Sequence, residues 1–247
     1  MLHSLKDLYN YNLIADDGEI GRSKDFIFDD LLWTVRYMVA NTGKWLFGKK
    51  VLISPISLGK PNLISRHIPV KLTKKLIEGS PELDEDAPVS RQHEINWHKY
   101  YSWTYYWQGP YTWGIASLPI ALSEKTDTKN KSKEDTGDKH LRSVKEVTGY
   151  HILARKDEIG HVEDFIVDDK TWTIRYIVVD TRNWLPGKKV LVSPTWIESV
   201  NWAEREVKIY LTKDIVESSP EYNHSIPINR EYEWNLHNYY KLPKYWD

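Results

Sequence analysis

The sequence predicts a mainly β fold with short helices, arranged as two small β-barrels that arose by internal duplication. Three observations lead there. Sliding the chain by 139 positions aligns Leu2–Tyr101 with Leu141–Tyr240 without a gap, and about 44 of 100 aligned positions are identical. Within each copy, short runs of β-branched and aromatic residues alternate with a period of two. Between those runs stand Asp, Pro and Gly in turn-forming combinations, which leaves little room for helix.

The elements follow in order. Phe26–Phe28 and Phe165–Val167 are short strands in "DFIFDDLLWTVRY" and "DFIVDDKTWTIRY". The tetrads that follow, Asp29–Leu32 and Asp168–Thr171, fit a hairpin connection, because an Asp at a turn start accepts hydrogen bonds from backbone N–H groups further on. Trp33, Val35, Tyr37 and Val39, with Trp172, Ile174, Tyr176 and Val178, alternate as the next strand. Pro186-Gly187 suits a type II turn, and Phe47-Gly48 keeps its essential glycine. Val51–Ile53 and Val190–Val192 form a third strand, ended by Pro55 and Pro194. Val207–Leu211 is a later strand. Thr73 and Thr212 cap a short helix, and Ser90 and Asn229 open a last helix that runs to Tyr101 and Tyr240. The domains are expected at residues 1–101 and 141–247.

The segment between them, 102–140, divides in two. "SWTYYWQGPYTWGIASLPIAL" is aromatic and too apolar for an idle linker, whereas "SEKTDTKNKSKEDTGDKH" has almost no apolar residue and reads as a flexible tether.

Order and spacing together carry a resemblance. "IGRSKDFIFDD…WTVRYMVANTGKWLFGKKVLISP" and "IGHVEDFIVDD…WTIRYIVVDTRNWLPGKKVLVSP", followed by "LTKKLIEGSPEL" and "LTKDIVESSPEY", resemble PRC-barrel domains. That family is named for the cytoplasmic part of the photosynthetic reaction-centre H subunit, and related barrels occur in the ribosome maturation factor RimM. Neither the membrane helix of the H subunit nor the extra RNA-processing domain of RimM is visible here. The resemblance implies a protein-docking module with no family active site.

Composition narrows the classes. Lys plus Arg and Asp plus Glu give a net charge of -1, without the basic surplus of a dedicated nucleic-acid binder. The absence of cysteine excludes disulfides, thiolate metal sites and cysteine nucleophiles. No signal peptide and no membrane-spanning apolar run is readable, so a cytoplasmic protein is expected. Tryptophan (12) and tyrosine (16) far outnumber phenylalanine (4), and their polar handles place many of them at surfaces or interfaces.

The candidate residues divide the same way. Asp29, Asp30, Asp168 and Asp169, with Asp25 and Asp164, offer paired carboxylates for acid/base work or for Ca²⁺ or Mg²⁺, against a plainer role in turns. Arg36 and Arg175 lie in strands and either bind an anion or pair with an Asp of their own hairpin. Gly48 and Gly187 are turn glycines. "HEINWH" at His93–His98 lacks the HExxH spacing of a zincin, and Glu94 with His98, like Glu233 with His237, reads as a helix-surface pair. The aromatic residues Trp103, Tyr105, Tyr106, Trp107, Tyr111 and Trp113, echoed by Tyr245 and Trp246, either cover a barrel end or form a docking surface. The leading expectation is a non-enzymatic scaffold or adaptor without a cofactor, whose partner is a protein or a second copy of itself. The alternatives are a metal- or ligand-binding protein or hydrolase using the Asp, Arg and His residues, and an RNA-associated or photosynthetic-complex-associated factor.

Overall fold

The structure is a computed structural model and describes residues 1–46, 48–81, 89–121, 140–181 and 188–246. In chain order, the first strands are β1 (Leu2–Ser4), β2 (Asn12–Ala15), β3 (Gly18–Asp29), β4 (Thr34–Asn41), β5 (Lys50–Ile53) and β6 (His67–Val70). Helices α1 (Lys74–Glu78) and α2 (Arg91–Tyr101) come next. The chain then runs through β7 (Leu141–Ser143), α3 (Val144–Val147), β8 (His151–Ala154), β9 (Asp157–Asp168), β10 (Ile174–Asp180) and β11 (Lys189–Val192). It ends in β12 (Ile197–Asn201), β13 (Glu206–Ile209), α4 (Lys213–Glu217) and α5 (Arg230–Tyr240). The fold is mainly β with few short helices.

The chain divides into two compact units. The first holds Asp7–Ser143 and the hairpin tip Asp169–Thr173; the second holds Met1–Lys6, Val144–Asp168 and Ile174–Asp247. In the first, the strands follow the order β5-β4-β3-β2-β6, and β7 also pairs with β3. In the second, the order is β11-β10-β9-β8-β13-β12, and β1 pairs with β9. These cuts differ from those at residues 101 and 141 that the repeat suggests, because a strand belongs with the ladder that satisfies its backbone groups. Leu2–Ser4 pairs with Asp168–Ile166, 160 or more residues on, and Leu141–Ser143 pairs back with Asp29–Ile27.

Among the described residues the sheets are not closed into barrels. After β5 and β11 a single 3₁₀ turn begins at Pro55 or Pro194, with Ser54 or Ser193 capping it. Proline has no N–H to give to a ladder, so the pairing is interrupted at that corner.

Each anticipated short strand before the hairpin is instead twelve residues long. β3 pairs with β2 through Gly18–Arg22 and with β4 through Arg22–Asp29, so it changes neighbours near Gly21. A Cβ on Gly21 would lie 2.0 Å from the Asn41 carbonyl oxygen, at φ +128°, and Gly160 meets the Asp180 oxygen in the same way. Only glycine permits that approach.

Trp33 and Trp172 stand outside the strands, at φ +49° and +56°, where the hairpins turn into β4 and β10. The expected alternation also fails on burial. Every residue from Thr34 to Ala40 is buried, because β4 is covered on both faces. Phe26 and Phe28 are wholly buried in the first unit, and Phe165 in the second. The caps behave as expected where Thr73 accepts from Leu76 N–H and Ser90 from His93 N–H, whereas Thr212 makes no side-chain cap bond.

Candidate functional site

The hairpin carboxylates come first. Asp29 Oδ1 accepts the N–H groups of Leu31 (2.9 Å) and Leu32 (3.2 Å), as an Asp at a turn start should. Its other oxygen receives Arg36 Nη2 at 2.9 Å and Nε at 3.3 Å. Arg36 is wholly buried, gives Nη1 to the Thr112 carbonyl at 2.7 Å, and lies 3.9 Å from the Tyr106 ring centroid and 4.9 Å from that of Trp113. A wholly buried guanidinium so bonded is out of reach of an external anion. In the second unit, Arg175 lies 3.5 Å from Asp168 and 4.0 Å from the Tyr245 ring centroid. Asp30 receives Arg142 Nε at 3.0 Å; burial pushes its carboxyl pKa up, against the pull of Arg142. Asp169 sits at the tip that belongs to the first unit. Gly48 takes φ +81°, as a turn glycine does, while the Pro186-Gly187 turn and the tether from 122 to 139 lie outside the described residues. Among the described residues no three His, Asp or Glu side chains gather to hold a metal ion.

The aromatic tail folds back over its own unit. Helix α2 stops at Ser102, which takes a left-handed conformation (φ +56°), and Trp103 N–H bonds the His98 carbonyl. Trp103 Nε1 then donates to Ser57 Oγ at 2.7 Å, and Trp113 Nε1 donates to the Thr171 carbonyl at 2.8 Å. Trp103, Tyr106 and Trp113 are buried, so the anticipated docking surface loses these three. The reason is that each indole or phenol has a buried polar partner as well as apolar contacts. Tyr105, Trp107, Tyr245 and Trp246 are half-buried, and Tyr111 is exposed. The wider expectation that tryptophan sits near surfaces fails likewise for Trp97, Trp172 and Trp196, all buried.

Beneath the tail lies a polar cluster that sequence reasoning placed wrongly. Glu94 and His98 are no surface pair; both are buried and both face the Tyr37 hydroxyl, at 3.0 and 2.8 Å. Tyr106 donates to Glu94 Oε1 at 2.6 Å, and Arg91 to Oε2 at 2.7 Å. His98 Nδ1 lies 2.8 Å from the Thr104 carbonyl, which can only accept, so Nδ1 carries the imidazole proton. Nε2 is then an acceptor, so the Tyr37 hydroxyl, which donates to Glu94 Oε1, stands between two groups that compete for its one proton. Burial raises the pKa of the Glu94 carboxyl against the opposing pull of Arg91. Burial also drives the His98 pKa down to about 3, which keeps the ring neutral.

The second unit repeats the arrangement residue for residue. Tyr176 lies 3.0 Å from Glu233 and 3.0 Å from His237, Tyr245 donates to Glu233 at 2.7 Å, and His237 Nδ1 meets the Pro243 carbonyl at 2.8 Å. Arg230 completes it at 3.2 Å from Glu233, and burial lowers the His237 pKa. The signal was present in the sequence: Tyr37, Arg91, Glu94, His98 and Tyr106 all recur 139 positions later.

The first unit also has two exposed features. Tyr111, Ile115, Leu118 and Ile120 present apolar side chains at 57%, 57%, 43% and 47% exposure. A groove of about 520 Å³ is lined by Glu19, Arg22, Lys24, Asn41, Lys44 and Trp45 among others. Among the described residues no helix is long and apolar enough to cross a membrane. A family model for the PRC-barrel domain matches residues 140–215, from just before β7 into α4. No curated protein matches the chain.

Proposed function

We propose that the chain is a tandem of two PRC-like barrel modules, arisen by duplication, that acts in the cytoplasm as a scaffold or adaptor for protein and catalyses no reaction. The family match over residues 140–215 supports the module, and the two identical Tyr–Glu–His–Tyr–Arg clusters support two copies of it. The likeness to the H-subunit barrel goes no further than this, as a shared module put to docking use. The reading rests on one contrast. Asp29, Arg36, Glu94 and His98, groups that could do chemistry, are buried and bonded within their own unit, while Tyr111, Ile115, Leu118 and Ile120 stand exposed. An exposed run of this kind, with a tyrosine at its head, suits a protein partner.

A pull-down from the native host at low and high salt tests it, with a Tyr111→Ala, Ile115→Ala, Leu118→Ala variant beside the parent. The expected result is a specific protein retained by the parent at both salts and lost by the variant, at unchanged thermal stability. Retention that does not depend on these side chains refutes the surface. The groove at Arg22, Lys24, Lys44 and Trp45 supports a second reading, in which a small anionic ligand stacks on the indole. Calorimetric titration with inorganic phosphate and with a nucleotide checks it, and no measurable heat from either rules it out.

A further inference from the structure

Two five-residue segments are written alike: Leu2-His3-Ser4-Leu5-Lys6 and Leu141-Arg142-Ser143-Val144-Lys145 share Leu, Ser and Lys at the first, third and fifth places. The strand in each segment pairs with a ladder in the other half of the sequence, and each meets an equivalent carboxylate. Ser4 Oγ donates to Asp164 Oδ2 at 2.5 Å, and Ser143 Oγ donates to Asp25 Oδ2 at 2.6 Å. The first segment is held at further points. Lys6 N–H reaches Asp164 Oδ1 at 3.0 Å, Leu5 N–H reaches the Phe165 carbonyl at 2.9 Å, and Lys6 Nζ lies 3.2 Å from Glu163. Leu5 is wholly buried. Main-chain pairing along β9 supplies sequence-independent affinity, while the Ser–Asp bond and the buried Leu5 supply selectivity; this is the division of labour in β-strand addition.

We infer that the β9 edge at Ile166–Asp168, with Asp164 beside it, is a docking site for an extended Leu-x-Ser-apolar-Lys segment, and that a second copy of this chain can supply that segment in trans. The occupant is set by the sequence itself, since donor and acceptor both occur in every molecule. Exchange between molecules makes the same bonds as exchange within one, so the two differ chiefly in tethering. Covalent attachment raises the effective concentration of the chain's own strand, to roughly millimolar where a linker is short and flexible. At micromolar protein the intact chain therefore keeps its own strand, and a site emptied of that strand takes a neighbour's. This inference is independent of the Tyr111–Ile120 surface.

The test uses two complementary variants. One lacks Met1–Lys6 and so has an open site without a donor; the other, Asp164→Arg, keeps the donor and has no site for it. Because the chain has no cysteine, Leu2→Cys in the second variant and Asp168→Cys in the first report the pairing directly, these being register partners. Oxidation of the mixture should give a disulfide-linked heterodimer by native mass spectrometry, and adding Ser4→Ala to the donor should cut its yield about tenfold, the scale of one lost hydrogen bond to a charged group. Two circular-dichroism-competent variants that form no heterodimer overturn the inference. Should Asp164→Arg fail to fold, a fluorescent Met1–Lys6 peptide is titrated onto the deletion variant; saturable binding weakened about tenfold by Ser4→Ala supports the site, and none refutes it. Should the deletion variant itself be unfolded, the same peptide must restore its circular-dichroism signal, and failure to do so also refutes the site.

Discussion

Replacing Tyr37 with Phe removes one oxygen from the middle of the first cluster and leaves the packing otherwise in place. That oxygen is wholly buried and stands 3.0 Å from Glu94 and 2.8 Å from His98. Without it both groups lose a partner in a space closed by Trp103 and Tyr106, where water cannot stand in readily. A buried polar group left unsatisfied costs about 1–3 kcal/mol. Glu94 keeps Tyr106 and Arg91, while His98 Nε2 keeps nothing in their place, so the sum should fall near 2–4 kcal/mol. In a chain of this size that lowers Tm by roughly 5–15 °C. Scanning calorimetry and urea titration of Tyr37→Phe, with Tyr111→Phe as an exposed control, measure it. Tyr176→Phe should lose a similar amount, because its oxygen has two partners at 3.0 Å. A loss below about 0.5 kcal/mol for Tyr37→Phe, within the spread of ordinary surface substitutions, would show that the hydroxyl does not bind the cluster together.

Glu94→Gln keeps the shape of this side chain without a titrating carboxyl. The Glu94 pKa is raised in the fold, so its contribution is complete below the ordinary carboxylate value and lost as pH rises through the higher folded value. The variant should lack that alkaline-side loss in Tm–pH profiles; an unchanged profile counts against a raised Glu94 pKa. His98 works with the opposite sign. Its pKa falls from 6.5 to about 3, so stability from the neutral ring is lost as pH drops through that window, and Glu94→Gln should retain this acid limb. Gly21→Ala should be among the most damaging single changes, since its Cβ would overlap the Asn41 carbonyl at 2.0 Å with φ at +128°. Loss of the folded protein, or a Tm fall beyond about 10 °C, is expected; a fall of a few degrees would mean that β3 can shift sideways.

Much of the local structure was legible because turn and cap chemistry is local. Thr73, Ser90 and Asn229 open their helices where the sequence places them, and Asp29 closes its hairpin through bonds to residues two and three places on. Burial was less legible, because it depends on what arrives from far along the chain. Nothing near Arg36 in sequence says that Tyr106 will cover it, and nothing near Glu94 says that it will face Tyr37. One comparison makes the point. In the first unit an indole from Trp103 stacks on Tyr101 at 4.3 Å and meets His98 at 5.6 Å. In the second, Trp196 fills the equivalent place against Tyr240 at 4.6 Å and His237 at 5.4 Å. The repeat register pairs Trp196 with Ser57 and Trp103 with Leu242, so an alignment scores both positions as differences. The space they fill is the same. Strand pairing between the repeat halves was equally hidden, because Leu-x-Ser is too short to read as a strand.

The crossing of strands between the sequence halves sets an order of events during synthesis. Ser4 is made 160 residues before Asp164, its partner. At 5–20 residues per second the segment waits roughly ten to thirty seconds with its leucines exposed to solvent. The first unit also includes Leu141–Ser143 and the tip Asp169–Thr173, so neither unit is complete before residue 173 has been made. A chain that stops between β3 and β7 leaves the Ile27–Asp29 edge of β3 without its partner Leu141–Ser143, a template for aggregation.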